Sequence, residues 1–581
     1  MKTKLFFLIL LAFTTALFAF RFNISNTQVS REKTKNEFKK QTIVRCSPDW
    51  KELKEWLEEV DIPPIPGAGI YKWKISTKSD SAQFYFNQGI NMYYSFHIIE
   101  AMASFKKAEK FDPGSAMLYW AQALTYGPNI NDFGYRASPD ALAAVNKSKD
   151  LASVVTPFEK ELIDAQSVRY TADSADATRA TLNQAYVDKM KKVFKNYLGN
   201  PDALALYADA MMLQHPWDLW NVDGTPKQWT PLIRDVLEKL LAKSPNHPGG
   251  NHYYIHVMEP SPFFAKALPS AERLGKTNPG LSHVVHMPSH IYLRTGNYQK
   301  GVDVNINAIN SYERSILLYS PVTGADFLYL IHNVHMKTNN AMLGGQQKVS
   351  IQSALATTAS IPADYYQSPA PMGNYIQYLS MTPVFAYIRF AKWDDILQMK
   401  QPYASLIYSN VLYHFGRGMA LANQLKIPEA KGELQQLREL MKDSSLAIPL
   451  APFSSALEGA VVAENLLAGT IELKQNNLPA AISFFKKAVI TEENMVYNEP
   501  RDWILNPKPF LGNVFLLSKK WIDAEKVFLS DLKNNNENGW SLYGLFIAAG
   551  GRNDKTKVDT YQNRYKKAFA KSDLSLSSSL Y

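Results

Sequence analysis

Cysteine is almost absent: Cys46 stands alone among 581 residues. A single thiol excludes an intramolecular disulfide and any thiolate-rich zinc or iron–sulfur centre. It also lies too far from the start to be a lipoprotein cysteine. Long apolar runs are missing beyond the first twenty residues, so nothing later in the chain reads as a membrane span. Nor does one sign of charge dominate. The 63 basic residues exceed the 53 acidic ones by ten and are spread through helical patches. With no basic cluster interleaved with aromatics, the chain is expected to bind no nucleic acid, and a weak preference for anionic surfaces is the simpler consequence. GxSxG, GxGxxG, HExxH, a P-loop and an EF-hand loop are all missing, which excludes the chemistry each carries. Strand-like alternation is nearly absent from Ser81 onward.

What is present begins with an export pattern. Lys2 and Lys4 precede an apolar run from Leu5 to Phe20, closed by Arg21. That is a basic region followed by a core too short for a comfortable span, so residues 1–20 are expected to be a signal peptide directing the protein to the periplasm or cell envelope. Ala19 offers a small residue for cleavage, but Leu17 spoils the site. An uncleaved anchor is the alternative, and membrane contact is expected only through it. Residues 21–48 are polar and aperiodic, a linker, and 49–80 form a short N-terminal extension around "DIPPIPGAGIYKW". Apolar content of 46 % with 20 % charged residues is that of an ordinary folded chain.

From Ser81 onward helical periodicity is broken by turn signals such as "DPGS", "SPNHPGG" and "TNPG". In a unit starting at Ala82, Gly89, Ala101, Phe105, Ala108 and Pro113 fall at positions 8, 20, 24, 27 and 32. This resembles the tetratricopeptide repeat, a 34-residue helix–turn–helix. Pro245 and Pro279 take the last equivalent position in units starting at Gln214 and Pro248, and another unit starts at Ser282. Later units occupy 462–495 and 505–538. The resemblance implies an all-α solenoid: a TPR-like array over 81–400 carrying a histidine-rich groove, a second over 401–570, and a flexible Ser-rich tail at 571–581.

Nine of the eleven histidines lie between His215 and His335, where an even scatter would put about two. In repeat register, His252 and His286 share position 5, His256 and His290 share position 9, and His215 and His283 share position 2. His332 and His335 take positions 2 and 5 of a unit starting near Ile331. The resemblance implies that these positions line the concave groove. Independently, residues four apart share a helix face, so His252/His256 and His286/His290 are each candidate chelating pairs. His252, His256, His283, His286, His290, His332 and His335 are therefore the candidate metal ligands. Neutral imidazoles without thiols suit copper, zinc or iron, and so many ligands allow two metals. Stacked HxxxH pairs also resemble the ligand sets of coupled dicopper centres. Pro288 must either kink its helix or start it, leaving His283 and His286 on an entering loop.

Glu259 is a candidate ligand or general base, and Arg294 a candidate anchor for a substrate carboxylate. Asp218 beside His215 would extend the site, with Trp217 and Trp220 as packing. His97 reads as turn packing, and His414 has no partner motif. "GPNIN", "NHYYIHVME", "HMPSHIY", "HNVH" and "ENGWSLYGL" resemble a family of exported bacterial repeat proteins, a likeness that implies architecture and supplies no reaction. The expectation is an exported metal-binding solenoid, a hydrolase or oxidoreductase if catalytic. The alternatives are a scaffold holding a peptide or partner protein in its groove, and a metal store.

Overall fold

One turn joins helix to helix along this chain. A residue with positive φ separates helix Asp80–Tyr93 from Ile98–Phe111 at Phe96. The same left-handed residue recurs at Gly296, Gly345, Ala391, Leu425, Asn476, Lys519 and Asn553, each between two consecutive helices. A left-handed residue after the last helical turn satisfies orphan carbonyls and reverses the chain, which makes each pair an antiparallel hairpin. The computed structural model describes residues 48–581 except 133–134, 174 and 320–326. All the described residues belong to one unit, Val44–Tyr581. Among them there is no strand, only two isolated bridges, Trp220 with Pro226 and Pro449 with Ser455. No described helix is long and apolar enough to cross a membrane. The expected signal peptide, most of the linker and Cys46 lie outside the described residues.

The repeat register is written into the packing. A Cβ on Gly89 would lie 2.5 Å from the ring of Phe105, one on Gly469 would lie 2.6 Å from Phe485, and one on Gly512 would lie 2.4 Å from Phe528. Each glycine sits sixteen residues before its phenylalanine, so three hairpins close around the same contact. The fold is thus an all-α, tetratricopeptide-like solenoid, in which neighbouring hairpins bury a continuous core.

Two expectations about local structure need correction. The unit starting at Gln214 does not form: Gln214 ends helix Pro201–Gln214, and residues 215–229 are an irregular loop. Pro216 disfavours helical backbone at His215, which adopts φ −138° and ψ 56°. The tail expected to fray is packed: Asp573 accepts from Gln347 N (2.6 Å) and Lys348 N (3.0 Å) at a helix start, and Tyr581 meets Trp393 edge-on.

Gly469→Ala should lower the urea midpoint, by about 1–3 kcal/mol of stability, because its Cβ meets a buried ring. Gly432→Ala, on a helix with nothing within 4 Å, should raise stability by about 0.5–1 kcal/mol.

Candidate metal centre

Helix Pro248–Met258 begins where His247 caps it: His247 Nδ1 accepts from Gly250 N (3.0 Å), and Pro248 takes the first turn. Gly249 then lets the helix press on Tyr94, whose ring would lie 2.6 Å from a Cβ there. That approach brings His252 Nδ1 to the Tyr94 carbonyl at 2.7 Å. A carbonyl only accepts, so His252 carries its proton on Nδ1 and turns an Nε2 lone pair inward. One turn later, His256 Nδ1 faces Glu259 Oε1 (3.2 Å) and Glu499 Oε1 (3.1 Å). Its Nε2 meets His252 Nε2 at 3.0 Å, and His283 Nε2 meets His252 Nε2 at 3.1 Å. Three imidazoles of a tetrahedral metal at about 2.0–2.1 Å would place their nitrogens roughly 3.3 Å apart.

A second triad repeats the device. The chain stays helical through Met287 (φ −48°, ψ −37°), so Pro288 divides helix Ser282–His286 from Pro288–Arg294 and leaves His283 and His286 on a helix rather than a loop. His286 Nδ1 meets Asn305 Oδ1 at 2.7 Å. The Asn305 amide is oriented by its own donation to Gly301 O at 2.7 Å, which assigns the oxygen to His286 and the His286 proton to Nδ1. His286 Nε2 meets His290 Nε2 at 2.7 Å. His332 completes the group from the start of helix His332–Leu343, directly after the π-helical turn Phe327–Ile331. Its Nε2 is buried without a hydrogen-bond partner.

Both triads are shut from solvent. His332, the most accessible of the six, is 6 % exposed. Burial, reinforced by neighbouring imidazoles, pushes His252, His283, His286 and His332 well below the usual histidine range. Facing lone pairs repel, and a metal ion between them removes that repulsion without protonating the rings. Aromatics wall the first triad. Phe96 packs edge-on against His252 (4.5 Å) and stacks on His283 (5.7 Å), and Trp217 meets His256 edge-on at 5.1 Å. Both hold left-handed backbone, φ 56° and 61°, a conformation a bulky residue adopts only when its surroundings impose it.

Glu259 lies behind the rings rather than among the Nε2 atoms. Its Oε2 is 2.9 Å from His290 Nδ1 and accepts from Tyr497 OH at 2.8 Å. Burial alone would raise its pKa, but His290 and His256 hold the carboxyl well below the usual range. The same contact raises His290 against the effect of its own burial. Burial and the Glu259 charge push the Glu499 carboxyl well up. Like charges this close cannot both ionise.

The structure therefore brings together six of the expected ligands, His252, His256, His283, His286, His290 and His332. The seventh is placed elsewhere: His335 Nδ1 meets Thr382 Oγ1 at 3.1 Å, outside both triads. Glu259 is placed to orient His256 and His290 rather than to act on the metal face. Arg294 is placed as a strut, its guanidinium over Phe264 (4.5 Å) and Tyr497 (5.4 Å). His215 stacks on Trp229 at 3.5 Å and Asp218 pairs with Lys227 at 3.0 Å, so neither extends the site. His97 stacks on Tyr329 (4.2 Å), and His414 pairs with Glu433 (2.6 Å). Asn305, Tyr497 and Glu499 escaped the sequence reading. Only Asn305 carried a local signal, about two turns into the helix after the HMPSH run; Tyr497 lies 238 residues beyond Glu259, and Glu499 beside it.

No family model matches the chain, and no similar curated protein was found. Similar solved structures include the human IFIT1 dimer with m7Gppp-AAAA, at 14 % identity over 85 % of this chain and 92 % of that one, TM-score 0.29. Yeast Tom70 is 11 % identical over 84 % and 93 %, TM-score 0.30. The P58(IPK) TPR domain is 10 % identical over 84 % and 99 %, TM-score 0.17. Scores this low carry no argument about shape or ligand. What the chain's own hairpins and side chains define is a tetratricopeptide-like solenoid with a buried polyhistidine centre.

Removing the partner of a buried charge is costly, so Glu259→Ala should lose about 3–5 kcal/mol in denaturant unfolding. Burial lowers His97 and His335 to about 3. Unfolding frees both to take a proton near pH 6.5, so the stability they contribute is full above that value and falls as pH drops toward 3. Thermal melts across that window should show the decline, with a shallower slope in His335→Gln.

Proposed function

We propose that the two histidine triads hold a pair of transition metal ions, copper, zinc or iron, and that the protein is a metal-dependent hydrolase or oxidoreductase working in the cell envelope. The observation that carries the reading is the convergence of Nε2 atoms at 2.7–3.1 Å while Tyr94 O, Glu259, Glu499 and Asn305 occupy the Nδ1 side. Metal-ligating imidazoles characteristically donate their other N–H to a carbonyl or carboxylate, which fixes tautomer and ring orientation. Bound there, a metal would supply Lewis acidity or redox capacity in a nearly dry site. The protein's own part is to keep His252, His283, His286 and His332 neutral by burial and to aim the rings from their Nδ1 side. Tyr497 and Arg294 fix the Glu259–Glu499 pair from outside. The cell-envelope assignment rests on the basic–apolar pattern of residues 1–20.

A helical-repeat scaffold also fits the binding of a peptide or partner protein. The histidine-lined stretch of the groove is, however, filled by the chain's own Tyr497 and Glu499. A peptide would have to use another part of the array.

Metal analysis of the purified full-length chain by mass spectrometry tests the proposal. Two equivalents are expected, one per triad. The double variant His252→Ala/His256→Ala should lose at least one, while His335→Ala keeps both. A folded parent that holds no copper, zinc or iron, as isolated and after reconstitution, overturns the reading.

A further inference from the structure

A cleft opens on the far side of the segment that closes the histidine centre. Its floor and walls include Tyr375, Tyr378, Tyr408, Phe453, Asn498 and Asp502. The segment has two faces. Tyr497 and Glu499 reach Glu259 and His256, whereas Met495, Asn498 and Asp502 line the cleft. Phe453 makes a second link, 5.8 Å from Trp217, which itself lies against His256. Whatever fills the cleft therefore shares a wall with the imidazoles.

Its chemistry is specific. Tyr375, Tyr378 and Tyr408 form a row of near-parallel rings, with centroids 6.5 Å and 6.4 Å apart and planes 17° apart. Of the residues that line the cleft, Asp502 alone carries a formal charge, and no Lys, Arg or His is among them. Asp502 Oδ1 accepts from Asn498 Nδ2 at 2.7 Å, which fixes the carboxyl and leaves it further acceptor capacity. The next carboxylate, Glu458, adds to the negative field while its own oxygens cap the helix at Ser455. Electron-rich rings around a held carboxylate, with no cation to answer it, are what an organic cation binds. An anionic ligand would meet no positive group among the lining residues, and an ammonium would meet both the carboxylate and the rings.

We propose that this cleft is a binding site for an organic ammonium group, such as a primary or methylated amine, seated against Asp502 and the tyrosine row. The site goes beyond the metal reading and stands whether or not the histidines hold metal. Its position beside them makes an amine the class of small molecule that this chain brings next to the centre.

The test is isothermal titration of the full-length chain with benzylammonium and, separately, with benzyl alcohol, which has nearly the same shape without the charge. The runs are made at pH 8, above the value of about 7 to which burial pushes Asp502. Saturable benzylammonium binding is expected, with benzyl alcohol weaker by about tenfold or more. Asp502→Asn, similar in size, should weaken the ammonium by a comparable factor with the circular dichroism unchanged. No saturable binding, or equal affinity for the alcohol, overturns the proposal, and so does an unaltered affinity in a folded Asp502→Asn. If that variant misfolds, the comparison of the two ligands on the unaltered chain decides alone. The two-ligand comparison is made on metal-free protein, so failure of the metal reading leaves this result interpretable.

Discussion

The histidine centre depends on one buried carboxylate. Glu259 closes helix Pro248–Met258, and its two oxygens go to different places: Oε1 to His256, Oε2 to His290 and Tyr497. A carboxylate out of contact with water is tolerated only with partners. These partners come from its own helix, from the next hairpin and from a segment far along the chain. Once they are satisfied, the relative placement of all three elements is set. His256 and His290 can then turn only about an axis that keeps Nδ1 on Glu259, which leaves their Nε2 atoms aimed at His252 and His286. Tyr94 O and Asn305 impose the same constraint on those two rings. The convergence of lone pairs is thus fixed from behind.

Local patterns made much of this legible. Position-8 glycines and position-24 phenylalanines meet in space as the repeat register requires, because the contact between the two helices of a hairpin is a local matter of sixteen residues. The HxxxH pairs were readable for the same reason: a helix face is set by spacing of four. The register failed where a loop intruded. His215 follows the repeat arithmetic but precedes Pro216, and backbone sterics there outweighed periodicity. His335 shares a helix and nearly a face with His332, but its Nδ1 meets Thr382 Oγ1 and it joins neither triad. Glu499 and Tyr497 carried no motif, because their role depends on how the array curves, and curvature accumulates from many small packing choices along the chain.

That curvature gives the later hairpins their part in the site. In an open solenoid each hairpin touches its neighbours, and a site on one hairpin owes nothing to distant ones. Here the array returns on itself. Tyr298 OH donates to Asn536 O at 2.7 Å, and Trp540 Nε1 donates to Met342 O at 3.1 Å. Ser572 Oγ donates to Gly345 O at 2.8 Å. The contacts fall at the start of helix Tyr298–Leu318, near the end of helix His332–Leu343 and in the turn after it, so the C-terminal helices brace the hairpins that present His290 and His332. The same closure delivers Tyr497 and Glu499 onto Glu259. Ions held in the two triads would tie together four helices, Pro248–Met258, Ser282–His286, Pro288–Arg294 and His332–Leu343, and through Glu259 they would act on the segment that seals them. Under the proposed reading, metal binding would be coupled to closing the array: closure supplies the groups that aim the imidazoles, and imidazoles already aimed would bind without a further ordering cost.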